Sequence, residues 1–379
     1  MDPIHPLPDV DVEQAAKAVD HATWLTGPER NDADRLGWTS LPSLGIDTEF
    51  VREKTYYPRP GLVQLSDGQQ VWLLDPIDPE PPSHLRDALN CQGTLKILHS
   101  VGEDLEVLQL VTGTLPAPLF DTQIGAAMLG HPLQMRYEHL VEQCFGVALP
   151  GGQARSDWCQ RPLSQSLLSY AAQDVIWLPR LQQLLAEKLD RLGRLAWLEE
   201  DCQRLLSSAS ASDTSSAAAR VKGAGRLNDG QLARLEALAK WRLEEAKRRD
   251  LPKSFIIRDE HLLTLAETSA SPRAISDAIQ ALPPSIQRRY KGTIETMLSH
   301  PPNGDYQRPS ELIALSKEEQ ALVKELQQAT RKVADELGVD PALLASRKAL
   351  LKLIREERPD WVNGWRGQWL QPLLRQTLG

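Results

Sequence analysis

The run Leu44-Gly45-Ile46-Asp47-Thr48-Glu49-Phe50 sets two acids one residue apart in a segment that otherwise reads as a buried strand. Side chains at i and i+2 of a strand leave the same face, roughly 7 Å apart along the chain. Two carboxylates side by side in a core repel each other and lose hydration, which is costly unless a cation lies between them. Oxygen-only ligands favour hard divalent ions, magnesium or manganese above all. A fold built on this strand has to bring further oxygen ligands to it from distant parts of the chain.

The surrounding pattern predicts strands over 44–50, 62–65, 71–74 and 96–99, separated by Pro, Gly and Asp-Gly turn signals. Helical periodicity follows over 103–111, 122–130, 137–145 and 165–205. Strands followed by interleaved helices predict an α/β layer with a mixed sheet. Residues 207–219 are Ser or Ala at 11 of 13 positions and read as a linker. Beyond them the chain reads as wholly helical, divided by the break at 300–309. The two halves align as a diverged repeat at a shift of 88 residues, with Leu251, Phe255, Ile256, Leu262, Leu263 and Leu265 falling on Val339, Leu343, Leu344, Leu350, Leu351 and Leu353.

Charge and composition narrow the class. The 379 residues carry a net charge of −8, divided as −14 over 1–219, +5 over 220–300 and +1 over 301–379. An acidic module joined to a mildly basic one suits a chain that concentrates cations in one place and meets polyanions in another, although +5 over 81 residues is also ordinary surface variation. No apolar run is long enough to span a bilayer, and the acidic, Pro-rich start lacks the features of a signal peptide. Four dispersed cysteines without a C-x-x-C pair argue against a disulfide framework or structural zinc and predict a cytoplasmic protein.

Two further segments carry candidate ligands. In Ile97-Leu98-His99-Ser100-Val101-Gly102-Glu103-Asp104 a strand ends, a turn follows, and Asp104 opens a helix, where an acid also serves as an ordinary cap or dipole partner. In Tyr170-Ala171-Ala172-Gln173-Asp174 the spacing of four puts Tyr170 and Asp174 on one helical face. Asp121 is expected to cap the helix over 122–130, and His99 to be a core histidine.

Asp47, Glu49, Asp104, Tyr170 and Asp174, in this order, resemble the DEDD superfamily of 3′→5′ exonucleases in its tyrosine-bearing subclass. Within it the chain is most similar to the bacterial ribonuclease D group. D-T-E-F-V-R, T-Y-Y-P, G-L-V-Q-L, E-D-L-E-V, D-T-Q-I and Y-A-A-Q-D-V carry the likeness in the first half. R-D-L-P-K-S-F-I-I-R-D-E-H-L resembles the HRDC domain, a small helical nucleic-acid-binding module, and L-L-A-S-R-K with W-R-G resembles a second one. The resemblance implies a ribonuclease H-like α/β exonuclease domain with a mixed sheet over 38–206, after an extension at 1–37. The linker at 207–219 and two all-α HRDC-type domains at 220–300 and 310–379 would follow.

It also implies the chemistry. Two divalent ions, Mg2+ or Mn2+, about 4 Å apart would clamp the attacking and leaving oxygens of a phosphodiester. Asp47, Glu49 and Asp174 would hold one ion, Asp47 with Asp104 acting through water the other, and Tyr170 would orient the nucleophilic water. Its ordinary pKa near 10 suits positioning rather than proton abstraction. Nucleoside 5′-monophosphates would leave from the 3′ end of RNA, transfer RNA precursors in particular. Apart from the resemblance, a monomer is the default expectation, since no heptad or exposed apolar face argues otherwise. Arg52, Tyr56, Tyr57 and Gln64 are candidate substrate contacts. Arg242, Lys247, Arg248, Arg249, Lys253, Arg288, Arg289 and Lys291 are candidate phosphate contacts, set among acids that equally suit a solvated face. The rival readings are a proofreading-type DNA exonuclease and a non-catalytic RNA-binding protein; a relic of the second kind is expected to have lost an acid, and all four are present.

Overall fold

A computed structural model describes residues 12–153, 155–211, 215–300, 302, 306–355 and 360–378. They form two compact units. One contains residues up to Val51, Pro58–Ala211 and Ala321 onward; the other contains Arg52–Tyr57 and Ser212–Gln320.

The first unit is built on a six-stranded mixed sheet of β1 (Thr23–Leu25), β2 (Ser43–Val51), β3 (Arg59–Ser66), β4 (Val71–Leu74), β5 (Leu95–Leu98) and β6 (Leu119–Asp121), in the order β1-β4-β3-β2-β5-β6. β2, β3 and β4 are antiparallel neighbours, whereas β5 and β6 continue parallel to β2, and β1 runs parallel to β4 at the far edge. Four of the strands follow the expected turn signals. β1 and β6, three residues each, are too short for a period-2 pattern to show.

Several stretches fold differently from the sequence reading. Residues 12–36, set apart as an extension, place Ala15, Ala18, Val19, Leu25 and Leu36 in the sheet's hydrophobic core, and residues 1–11 lie outside the described part. The periodic stretch 165–205 is three helices, Gln165–Ile176, Leu178–Arg191 and Leu195–Ser210, broken at Trp177 and at Gly193, whose φ of +65° ends the second. The last of these carries helical backbone into the Ser/Ala stretch, of which 212–214 are not described.

In the second unit the helix Asp229–Arg249 starts on a capping box between Asn228 and Gln231. The short helix Lys253–Ile256 and the helix Asp259–Glu267 follow, over a core that includes Leu235, Ile256, Leu262 and Ile294. The repeat inferred from apolar positions reappears in the backbone. Lys317–Leu337 and Pro341–Leu344 are the first two of those helices displaced by the same 88 residues, and Arg347–Ile354 begins where Asp259 maps. The C-terminal segment was expected as a module of its own. Its Ala334, Val339, Leu343, Leu344 and Trp365 belong to the same core as the sheet, beside a small cluster around Leu326, Leu350 and Leu353. Trp365 stacks on Trp197, ring centroids 4.5 Å apart at 6°. Among the described residues no helix is long and apolar enough to cross a membrane.

Candidate active site

Asp47 and Glu49 leave the same face of β2, next to a register shift in its pairing with β3 between Glu49 and Phe50. Gly45, two residues earlier on that face, abuts the junction of the helices 165–176 and 178–191. A Cβ there would sit 2.9 Å from Leu178 Cβ and 3.1 Å from the Val175 carbonyl oxygen. The absent side chain lets these helices lie directly on the strand, and that approach carries Asp174 to the two acids. One carboxylate oxygen from each of Asp47, Glu49 and Asp174 lies within 4.8 Å of the others.

Asp104 approaches from the other direction. It opens the helix Asp104–Thr112 after the turn that follows β5, and its Oδ1 accepts a 2.5 Å hydrogen bond from the Thr48 hydroxyl. It stands outside the trio but lines the same cleft of about 410 Å³, with Asp47, Glu49, Tyr170 and Asp174. The Tyr170 hydroxyl donates to the Asp174 carboxylate. The five residues singled out from the sequence thus converge, from one strand and two helices, on a single cleft.

The electrostatics are those of crowded anions. Burial, then the charges of Asp104, Asp174 and Glu49, hold the Asp47 pKa well above the usual carboxylate range. Burial first, then Asp174 and Asp104, raise Glu49 to about 9. Burial raises Asp174 to about 7 and Asp104 to about 6, each opposed by its hydroxyl donor, Tyr170 or Thr48. Buried acids that repel one another bind protons or a cation. The donors are oxygens only, and the three nearest are close enough to share one ion, so the set fits a hard divalent cation. Tyr170 is itself pushed above its ordinary value, by burial and then by Asp174, Glu49 and Asp47.

Neighbouring residues take structural roles. Asp121 caps its helix through the amides of Gln123 and Ile124, and also accepts from Ser100 and Val101 amides, tying down the turn before Asp104. His99 is held by Thr122 Oγ1 at 2.8 Å and by the Met135 carbonyl at 2.9 Å, and burial lowers its pKa. Thr48 was not singled out from the sequence. Its place between the two acids signals only that it alternates with them along the strand; that its hydroxyl reaches Asp104 depends on where the helix Asp104–Thr112 arrives.

The remaining candidates scatter. Gln64 is fully buried in β3 opposite Asp47, which removes it from direct substrate contact. Arg52 is exposed, and Tyr56 packs on the second unit's core, with the Tyr56 and Tyr57 amides both donating to Asp250. Arg242 is buried in a 2.6 Å ion pair with Asp259 and is structural. Arg248 bonds Glu245 through two nitrogens, and Lys247 lies 3.4 Å from Glu244. Arg249 donates to the Tyr290 hydroxyl and lines a groove of about 580 Å³ with Phe255, Arg288 and Arg289, while Lys253 and Lys291 are exposed.

Comparison with known proteins follows the same division. Residues 37–190 match the 3′-5′ exonuclease family and residues 231–279 the HRDC domain. Ribonuclease D of Shewanella sp. is 36% identical over 339 residues, covering 86% of each chain. Ribonuclease D of Escherichia coli K12 is 32% identical over 351 residues, covering 89% of this chain and 93% of its own. The crystal structure of Escherichia coli RNase D, described as an exoribonuclease involved in structured RNA processing, superposes with a TM-score of 0.84 at 29% identity, over 94% of this chain and 98% of that one. An acid cluster suited to divalent metal, set in an exonuclease domain that an HRDC domain follows, together with relatives above 30% identity over most of the chain, leads to one conclusion: the chain belongs to the ribonuclease D family of 3′→5′ exoribonucleases.

Proposed function

We propose that Asp47, Glu49, Asp104, Asp174 and Tyr170 are the catalytic residues, and that hydrolysis uses two divalent ions, Mg2+ or Mn2+, to release nucleoside 5′-monophosphates. The observation that carries this reading is the trio of buried carboxylate oxygens within 4.8 Å of one another. Asp47, Glu49 and Asp174 would hold one ion, and Asp47, with Asp104 acting through water, the other. When bound, such a pair supplies the positive charge that offsets the scissile phosphate and the departing 3′ oxygen. Tyr170, its hydroxyl kept protonated by burial, gives its proton to a hydrogen bond with Asp174. Its phenolic oxygen then has lone pairs left to accept from the attacking water and aim it.

RNA is the substrate class, and 3′ trimming of transfer RNA precursors and other structured RNA by a cytoplasmic monomer is the physiological reading we favour. Arg249, Arg288 and Arg289 around the exposed Phe255 suit a strand's phosphates and bases. Residues 220–300 and 310–379 are read as paired HRDC-type modules, which the shared 88-residue offset of their helices supports. The test is incubation of the protein with 3′-extended transfer RNA, with and without Mg2+ or Mn2+, resolving product lengths. Mononucleotides released stepwise only with metal are expected, and Asp47→Asn or Asp174→Asn is expected to stop release in a folded protein. Full activity in either variant removes the assignment; faster hydrolysis of DNA removes the substrate class.

A further inference from the structure

Among the described residues, no lysine or arginine lines the cleft that holds the acids. A phosphodiester chain entering it meets negative charge at every step except where metal neutralises the scissile phosphate. The substrate ends in a 3′ hydroxyl, so the phosphate nearest the scissile one lies on its 5′ side, and cations for that phosphate have to come from outside the acid cleft.

A second cleft of about 270 Å³ adjoins the first and shares Glu138, Tyr170 and Asp174 with it. Its other walls are Arg136, Arg155 and the loop from Leu149 through Gly152. Arg136 stands at the start of the helix Tyr137–Phe145, its side chain 71% exposed and paired with Glu138 at 2.9 Å. Arg155 is exposed, and among the described residues no acid lies within ion-pair distance of it. Gly151 and Gly152 have no heavy atom within 4 Å of where a Cβ would stand, and Gly152 has φ of +100°, so the loop leaves open space beside the arginines.

We propose that this arginine cleft binds the phosphate one step 5′ of the scissile bond, making Arg136 and Arg155 positioning residues that set the register of the RNA strand. This rests on the reading of the acid cleft as the hydrolytic centre. Guanidinium groups match phosphate oxygens in pairs, and the phosphate replaces Glu138 as the partner of Arg136. Tyr170 and Asp174 stand at the junction of the clefts. A strand anchored in the second cleft therefore presents its next linkage to them.

The test compares two short RNA oligonucleotides, one unmodified and one with a neutral methylphosphonate in place of the phosphate 5′ of the scissile linkage. Wild type, Arg155→Ala and Arg136→Gln are assayed on both. For the wild type, the neutral linkage should raise KM while kcat changes little. Each variant should raise KM for the unmodified RNA, by roughly two- to fivefold for an exposed charge. On the methylphosphonate RNA the variants should match the wild type, which also shows that they fold. If the wild type is indifferent to the neutral linkage, or if variants and wild type lose equally on making it, the proposal is overturned. A wild type that hydrolyses neither RNA in the presence of metal defeats the acid-cleft reading instead.

Discussion

The hydroxyl of Thr48 donates a 2.5 Å hydrogen bond to Oδ1 of Asp104, joining the middle of β2 to the start of a helix 56 residues further along the chain. The bond is buried, and it opposes the rise in pKa that burial imposes on Asp104. Thr48 thus holds the acid in orientation and favours its charged form.

Thr48→Val replaces the hydroxyl by a methyl of similar size and leaves a buried carboxylate short of a donor. Asp104 should then lose its proton only at higher pH than its present value of about 6. The acid limb of the pH–rate profile should move to higher pH in the Val variant and stay near the wild-type position in Thr48→Ser. An unmoved limb in Thr48→Val would separate Asp104 from the reaction.

The metal-free protein should become less stable as pH rises. Glu49 has an ordinary pKa of 4.5 and a folded value of about 9, so between these limits the folded state holds a proton that the unfolded state has released. Stability is therefore lost progressively from about pH 4.5 to about pH 9. Glu49→Gln removes the titration, and its melting temperature in chelator should depend less on pH than that of the wild type. At pH 8 the variant should melt higher than the wild type while being unable to release nucleotides.

Binding of Mg2+ or Mn2+ should displace protons. Asp174 at about 7 and Glu49 at about 9 are wholly or partly protonated at neutral pH in the metal-free cleft, whereas ligation requires both ionised. Calorimetric titration at pH 7 in buffers of different ionisation enthalpy should give a net proton release, and affinity should rise from pH 6 to pH 8. Heats that are the same in every buffer would contradict the protonated cleft.

Outside the cleft lining, Arg366 makes a two-pronged ion pair with Asp201, Nη1 to Oδ1 at 2.6 Å and Nη2 to Oδ2 at 2.7 Å. Both side chains are buried, and Trp365 donates its indole N–H to the same carboxylate. Arg366→Ala leaves Asp201 buried without its main partner and should cost about 3–5 kcal/mol. Urea unfolding of the first unit reads this loss. A cost below 1 kcal/mol would mean that water or Arg204, 3.0 Å from Asp201, takes over the carboxylate.

The sequence by itself singled out the groups to which the proposed chemistry is assigned. Asp47 and Glu49 share a strand face because period-2 geometry is local, and Tyr170 and Asp174 share a helix face for the same kind of reason. Four strands, most helices and the 88-residue repeat were legible because each writes an apolar rhythm into adjacent residues. Tertiary structure alone decided that Asp174 reaches Asp47 and Glu49, since that depends on the space left at Gly45, and that Asp104 meets Thr48. It also decided that Gln64 and Arg242 are buried, whereas their residue types alone suggested exposed contacts with RNA. Periodicity records which way a side chain faces along its own element; how closely two elements approach is set by the volumes between them, and those come from residues far apart in the chain.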